Sequence, residues 1–155
     1  MDRANVFTDV YEYDDEDPEG YRAGTSRVGE RAGASENVVK AYEIPPGERL
    51  CPYHYEYVEE WLLILEGELE LRTPAGNETI ATGALICFAP GPDGAHQLTN
   101  RASETARVLM FSNGREPAVA VYPDSDKIGV WTGREEDQLM LRRSDGSVDY
   151  YDGEN

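Results

Sequence analysis

From Val38 to Phe111 the chain is a succession of short apolar segments, VVKAYEI, WLLILEGELELR, ALICFAP and ARVLMF. They are cut by turn-forming stretches at Pro45-Pro46-Gly47, Pro74-Ala75-Gly76-Asn77, Pro90-Gly91-Pro92-Asp93-Gly94 and Asn100-Arg101-Ala102-Ser103. Apolar runs this short, bounded by Pro and Gly at such intervals, are the strands of an all-β domain. A 3.6-residue periodicity lasts no more than about two turns anywhere, short of an ordinary globular helix. In Glu60–Arg72 both alternating sets, Leu62 and Ile64 against Trp61, Leu63 and Leu65, are apolar at first, as in a strand covered on both sides. Past Gly67 the pattern becomes Glu68, Glu70 and Arg72 against Leu69 and Leu71, that of a half-exposed strand leaving the core. A hairpin through Thr73–Glu78 then leads to a return strand at Thr79–Thr82.

The length, 155 residues, suits one domain with extensions. Residues 1–37 are a polar arm, with an acidic cluster at Asp14, Asp15, Glu16 and Asp17, that lies over the domain or is partly disordered. Residues 38–112 form the core, and 113–155 a C-terminal extension packing on it. With 31 acidic against 14 basic side chains the formal charge is -17. Such a surface repels phosphate, which excludes electrostatically driven binding to nucleic acid or to anionic membranes. No apolar run approaches the roughly 20 residues that span a bilayer, and MDRANVFTDV shows no basic stretch followed by an apolar one. The expected compartment is the cytoplasm, where Cys51 and Cys87 stay reduced as small apolar thiols in or near the core.

Both histidines, His54 and His96, fall where β-segments meet turns. His54 and Glu56 share a face if their segment is extended. Glu60 follows the local reversal at Tyr57–Glu59 as the first residue of the next strand, and His96 opens the strand after the Pro/Gly loop. Two imidazoles and two carboxylates from three strands can converge on one divalent cation; imidazole suits Fe, Ni, Cu and Zn, and carboxylate adds tolerance for Mn. The residues alone leave open that both histidines are ordinary surface or core histidines.

Gly47, His54, Glu60 and Gly67 in GERLCPYHYEYVEEWLLILEGEL resemble the first motif of the cupins, a Gly, then His-x-His, a Glu four residues on and a Gly seven beyond. GALICFAPGPDGAHQLTN resembles the second motif, with Gly83, the Pro90 to Gly94 turn, His96 and, four residues later, Asn100. The resemblance covers about residues 38–112 and implies a cupin double-stranded β-helix, a jelly-roll barrel with N-terminal arm and C-terminal tail. It implies His54, Glu60 and His96 as ligands of one divalent transition metal at the barrel mouth. Glu56 stands where the motif has its second histidine, so it is either a fourth ligand by geometry alone or a polar pocket residue. The extra carboxylate shifts the expected metal slightly toward Mn or Fe, with Ni or Zn as alternatives. The implied function is metal-dependent action on a small organic molecule, as an oxygenase, an isomerase or a decarboxylase; the alternative is a non-catalytic cupin that binds or senses a small ligand. Metal-free sugar epimerases of the superfamily would need another acid and base, and the chain has no third histidine.

Tyr53, Tyr55, Tyr57 and Trp61 have the opposite parity to His54 and Glu56, and are expected to pack against the other layer, the arm or a second subunit. The apolar patch they would leave on a monomer predicts a homodimer. Phe88, Leu98, Leu62 and Ile64 either line the pocket or fill the interior. Arg72, Arg107 and Lys127 are scarce enough in so acidic a chain that any one inside the pocket would mark an anionic substrate. The stretch VYPDSDKIGVW places Asp124 and Asp126 in a turn, as a subunit contact or as solvated loop acids.

Overall fold

The computed structural model describes residues 1–114 and 116–154, which form twelve strands and one single-turn helix, Val28–Arg31. The strands are β1 (Gly24–Ser26), β2 (Val38–Ile44), β3 (Tyr55–Glu56), β4 (Glu60–Glu66), β5 (Glu68–Thr73), β6 (Gly76–Ala81), β7 (Leu85–Phe88), β8 (Gln97–Thr99), β9 (Ala106–Ser112), β10 (Ala118–Tyr122), β11 (Lys127–Trp131) and β12 (Leu139–Arg142). They make three antiparallel sheets, ordered β1-β2-β9-β4-β7, β6-β5-β8 and β12-β11-β10-β3. This is the all-β architecture that the alternating segments predict and the jelly roll that the cupin resemblance implies. The sheets do not close into one hydrogen-bonded cylinder; single bridges at Arg49–Thr99 and His54–His96 lie between the ladders.

The core forms where the five-stranded and three-stranded sheets face each other. Ile44, Leu62, Ile64 and Val108 from the first meet Leu69, Leu71 and Leu98 from the second, each at most 1% exposed. Leu62, Ile64, Leu98 and Phe88 therefore fill the interior. The outer face of the five-stranded sheet carries Trp61 stacked on Phe111, with ring centroids 6.1 Å apart.

The Glu60–Arg72 segment, expected as one strand leaving the core, is two strands in different sheets. The break is Gly67, whose φ of 80° lies in the left-handed region, and where an added Cβ would stand 3.2 Å from Ala106. A side chain there meets both backbone strain and a buried neighbour. The return strand begins at Gly76, earlier than expected, because the connection is only Pro74 and Ala75: Thr73 pairs with Gly76, and the Ala75 amide donates to the Thr73 hydroxyl.

The arm lies along the outside of the five-stranded sheet. β1 pairs with β2, Glu12 bridges to Thr25, and the rings of Phe7 and Tyr11 flank the Arg107 guanidinium, which is paired with Glu43 and Glu66. At the other end of the chain, β10 pairs with β3, so the extension forms a wall beside His54. Arg72 ties the two parts together: its guanidinium donates to both Asp124 oxygens at 2.5 and 2.9 Å and lies 3.9 Å from the centre of the Tyr53 ring. Among the described residues no helix is long and apolar enough to cross a membrane.

Asn100, fully buried, anchors the segment behind His96. Its amide donates to the carbonyls of Ile44 (2.7 Å) and Glu104 (2.8 Å), and its oxygen accepts from the Ala102 amide (2.9 Å). Asn100→Ala removes the partner of one buried and two part-buried backbone groups and is expected to lower unfolding free energy by roughly 2–4 kcal/mol. Urea denaturation at unchanged m-value checks this.

Candidate metal centre

His54 and His96 face each other across an antiparallel bridge. The His54 amide donates to the His96 carbonyl at 3.2 Å, and the His96 amide donates back to the His54 carbonyl at 2.8 Å. This juxtaposition is local in origin: His54 ends the loop that leads into β3, and His96 ends the Pro/Gly loop that leads into β8. Residues paired in this way carry their side chains on one face, and the ring centroids lie 4.8 Å apart.

Each imidazole is held at its other nitrogen. His54 Nδ1 is 3.0 Å from the Pro52 carbonyl oxygen and His96 Nδ1 is 2.9 Å from that of Gly94. A carbonyl can only accept, so both Nδ1 atoms carry the proton and both Nε2 atoms present lone pairs. Phe88 stacks on His96 with centroids 3.6 Å apart, and Tyr122 on His54 at 5.8 Å. Glu60, the first residue of β4, is set by its pairing with Phe88 and Ser112. Its Oε2 lies 3.9 Å from His54 Nε2 and 3.8 Å from His96 Nε2.

The electrostatics are those of a dry donor set. Burial, reinforced by His54, pushes His96 down to about 3, and burial lowers His54. Burial followed by the charge of Glu56 raises Glu60 to about 8, against an opposing pull from Lys40. Burial also raises Glu56, again opposed by Lys40. His96 Nε2 is buried with no hydrogen-bond partner. A lone pair aimed at a point shared with a second imidazole lone pair and a carboxylate fits a divalent cation. The donor atoms of His54, Glu60 and His96 all lie within 4.8 Å of one another and are the residues that would hold it.

Glu56 is outside that group of mutually close donors. It lines the same cavity as His54 and Glu60, as the shared parity of His54 and Glu56 requires. The cavity has a volume of about 340 Å³, and its walls include Lys40, Tyr42, Met110 and Trp131. None of these four was singled out from the sequence as a pocket residue. Phe88, placed above in the interior, reaches the site as the ring stacked on His96. Of the three cations expected to betray an anionic substrate, Arg107 sits under the arm, and Arg72 and Lys127 line a separate cavity of about 770 Å³ between arm and extension. Among the described residues, the cation lining the donor cavity is Lys40. Its inward parity with Tyr42 and Ile44 in VVKAYEI was the available signal.

Residues 41–112 match the family described as the cupin domain. Several solved structures share the fold at low identity. One is a putative sugar phosphate isomerase from Acidithiobacillus ferrooxidans, 22% identical with a TM-score of 0.75, covering 83% of this chain and 81% of that one. A sugar phosphate isomerase of the cupin superfamily from Silicibacter pomeroyi is 24% identical with a TM-score of 0.73 at the same coverages, 83% and 81%. The polyketide cyclase RemF from Streptomyces resistomycificus is 21% identical with a TM-score of 0.61, covering 76% of this chain and 83% of that one. No curated protein matches the chain in sequence.

The raised pKa of Glu60 has a measurable consequence. With both imidazoles already neutral and Glu60 protonated up to about pH 8, a cation must displace the carboxyl proton before it gains that ligand. Metal affinity is therefore expected to rise with pH, by up to about tenfold per unit below pH 8, and to level off above it; near neutrality about one proton is released per ion bound. Calorimetric titration with Mn2+ in buffers of different ionisation enthalpy counts that proton. Release of none at neutral pH would show that Glu60 is already ionised or takes no part.

Proposed function

We propose that this chain, whose residues 41–112 match the cupin domain family and whose fold is shared with cupin structures, is a divalent-metal-dependent protein acting on a small organic molecule in the cavity beside His54, Glu60 and His96. The observation that carries this is the pair of imidazoles with both Nδ1 protons spent on backbone carbonyls and the His96 Nε2 left buried and unpartnered. Hydrogen bonding of this kind fixes the tautomer that binds metal and stiffens the ring. A bound divalent ion supplies Lewis acidity toward a carbonyl or enolate oxygen.

The chain's own residues do the rest. Phe88, Leu98 and Leu62 keep water from the back of the donor set. Tyr42, Met110 and Trp131 give the cavity a largely apolar lining that orders a compact ligand. Glu56, buried enough to hold its proton above the usual carboxylate range, either completes the ligand set or exchanges a proton with the bound molecule. Neighbours described as isomerases and as a cyclase support turnover over simple sequestration. With Glu56 as a fourth ligand, the second carboxylate gives a slight preference for Mn or Fe over Ni or Zn.

We further propose a homodimer, supported by the apolar outer face around Trp61 and Phe111, where Leu85 is 57% exposed. Light scattering at micromolar concentration giving the 17.3 kDa of one chain would overturn it.

Elemental analysis of protein purified without added metal, and after dialysis against Mn2+, Fe2+, Ni2+ and Zn2+, should give one ion per chain. Absence of metal in every case would sink the functional reading. Glu56→Ala separates the two roles of that residue. As a ligand its loss weakens metal binding roughly 10- to 100-fold or more; as a proton carrier its loss leaves affinity intact in a chelator competition and reduces turnover alone.

A further inference from the structure

One of the two lysines in the chain projects into the donor cavity. Val38, Lys40, Tyr42 and Ile44 share the inward face of β2, and Ile44 reaches the core while Lys40 and Tyr42 line the cavity. Lys40 pairs in register with Met110 of β9, which pairs with Leu62 of β4 two residues from Glu60. The Lys40 side chain is half-buried, and among the described residues it makes no hydrogen bond or ion pair. A scarce cation, partly desolvated and facing two carboxyl groups without a close ion pair to either, has donors left to offer a ligand.

The charges around the donor set say which ligand. Lys40 faces Glu56 and Glu60, while Glu116 stands exposed at the rim. Without a metal, Lys40 is the one cation among the described cavity residues and faces two carboxyl groups, of which Glu60 holds its proton, so the cavity carries little net charge and draws no anion strongly. A divalent cation that displaces that proton leaves two carboxylates against Lys40 and the dication, a sum of one positive charge, which one anionic group on a ligand neutralises. The remaining lining, with Val58, Met110 and Trp131, is apolar.

We propose that Lys40 is the anion-recognition residue of this cavity, and that the molecule it receives is a compact organic monoanion, a carboxylate or enolate with an apolar body. The assignment rests on the metal-dependent reading above. It carries a coupling: ion and anion each raise the affinity of the other, because the ion brings the net positive charge that the anion meets.

The test uses the full chain, Mn2+ and a matched pair of probes, 4-methyl-2-oxopentanoate and its uncharged amide. Titrations are run on wild type, Lys40→Met and Lys40→Gln, with metal stoichiometry measured separately for each. Mn2+-loaded wild type should bind the acid at least about tenfold more tightly than the amide, and metal-free protein should bind the acid more weakly than Mn2+-loaded protein. Both variants should keep one ion per chain, which also reports that they fold, and should lose roughly 10- to 100-fold in affinity for the acid with little change for the amide. In chelator competition the acid should tighten Mn2+ binding in wild type and not in the variants. Equal binding of acid and amide by wild type, or undiminished binding of the acid by the variants, overturns the proposal and leaves the metal reading standing. Loss of metal from both variants makes Lys40 a support of the donor set and overturns it as well. If wild type does not take up Mn2+, the titrations use whichever of Fe2+, Ni2+ or Zn2+ it does take up, and failure to take up any of them overturns both readings together.

Discussion

The two hydrogen bonds between His54 and His96 are the constraint on which the site depends. They place two imidazoles side by side through the backbone alone, before any side chain interacts. Each ring then has one degree of freedom removed by a carbonyl and another by an aromatic face, Phe88 for His96 and Tyr122 for His54. Only one further donor has to be delivered. β4 delivers Glu60 by ladder register, between Phe88 of β7 and Ser112 of β9. The donor set is thus fixed by strand pairing on every side, which is how a rigid element holds a functional group more closely than a mobile loop does.

A site assembled this way is expensive in electrostatic terms. Burial works against an ionised Glu60 and against a charged His96 at once, so the metal-free centre sits in its neutral forms. The folded chain carries this polar group beside its apolar core because the neighbouring layers are secured elsewhere. Arg107 is clasped by Glu43 and Glu66 under Phe7 and Tyr11 of the arm, and Arg72 is clasped by Asp124 of the extension against Tyr53. Residues from outside the 41–112 family match also complete the cavity itself: Tyr122 stacks on His54, and Ala118 and Trp131 line the wall.

What could be read in advance follows from which contacts are local. Strand positions were legible because apolar alternation and Pro/Gly punctuation are properties of neighbouring residues. His54, Glu60 and His96 were legible because their spacing carries a family pattern. The break at Gly67 was not, since the alternation of Leu65, Gly67, Leu69 and Leu71 runs on in phase and the reason for the glycine is Ala106, far away in sequence. Lys40 was missed for a related reason. β2 is covered on both faces, by Gly29 against Val39 on one side and by the core on the other, so parity divides VVKAYEI into two sets without saying which is inward. Arg72 and Arg107 find acids 52 and 64 residues away, Asp124 and Glu43, and no spacing rule reaches that far.

The overall charge of -17 and the chemistry of the cavity pull in opposite directions, and the structure separates them by dielectric. Most of the acidic excess lies on exposed residues, where solvent and counterions screen it beyond roughly 10 Å. Inside the cavity screening is weak and the few nearby charges dominate. Glu56 raises Glu60 while Lys40 lowers both, so three side chains on three strands set the local sign, with the surface of the protein contributing little. On the proposed reading, charge selectivity in this cavity turns on whether the carboxyl groups face Lys40 alone or Lys40 and a dication together, and an acidic exterior is then no obstacle to an anionic ligand.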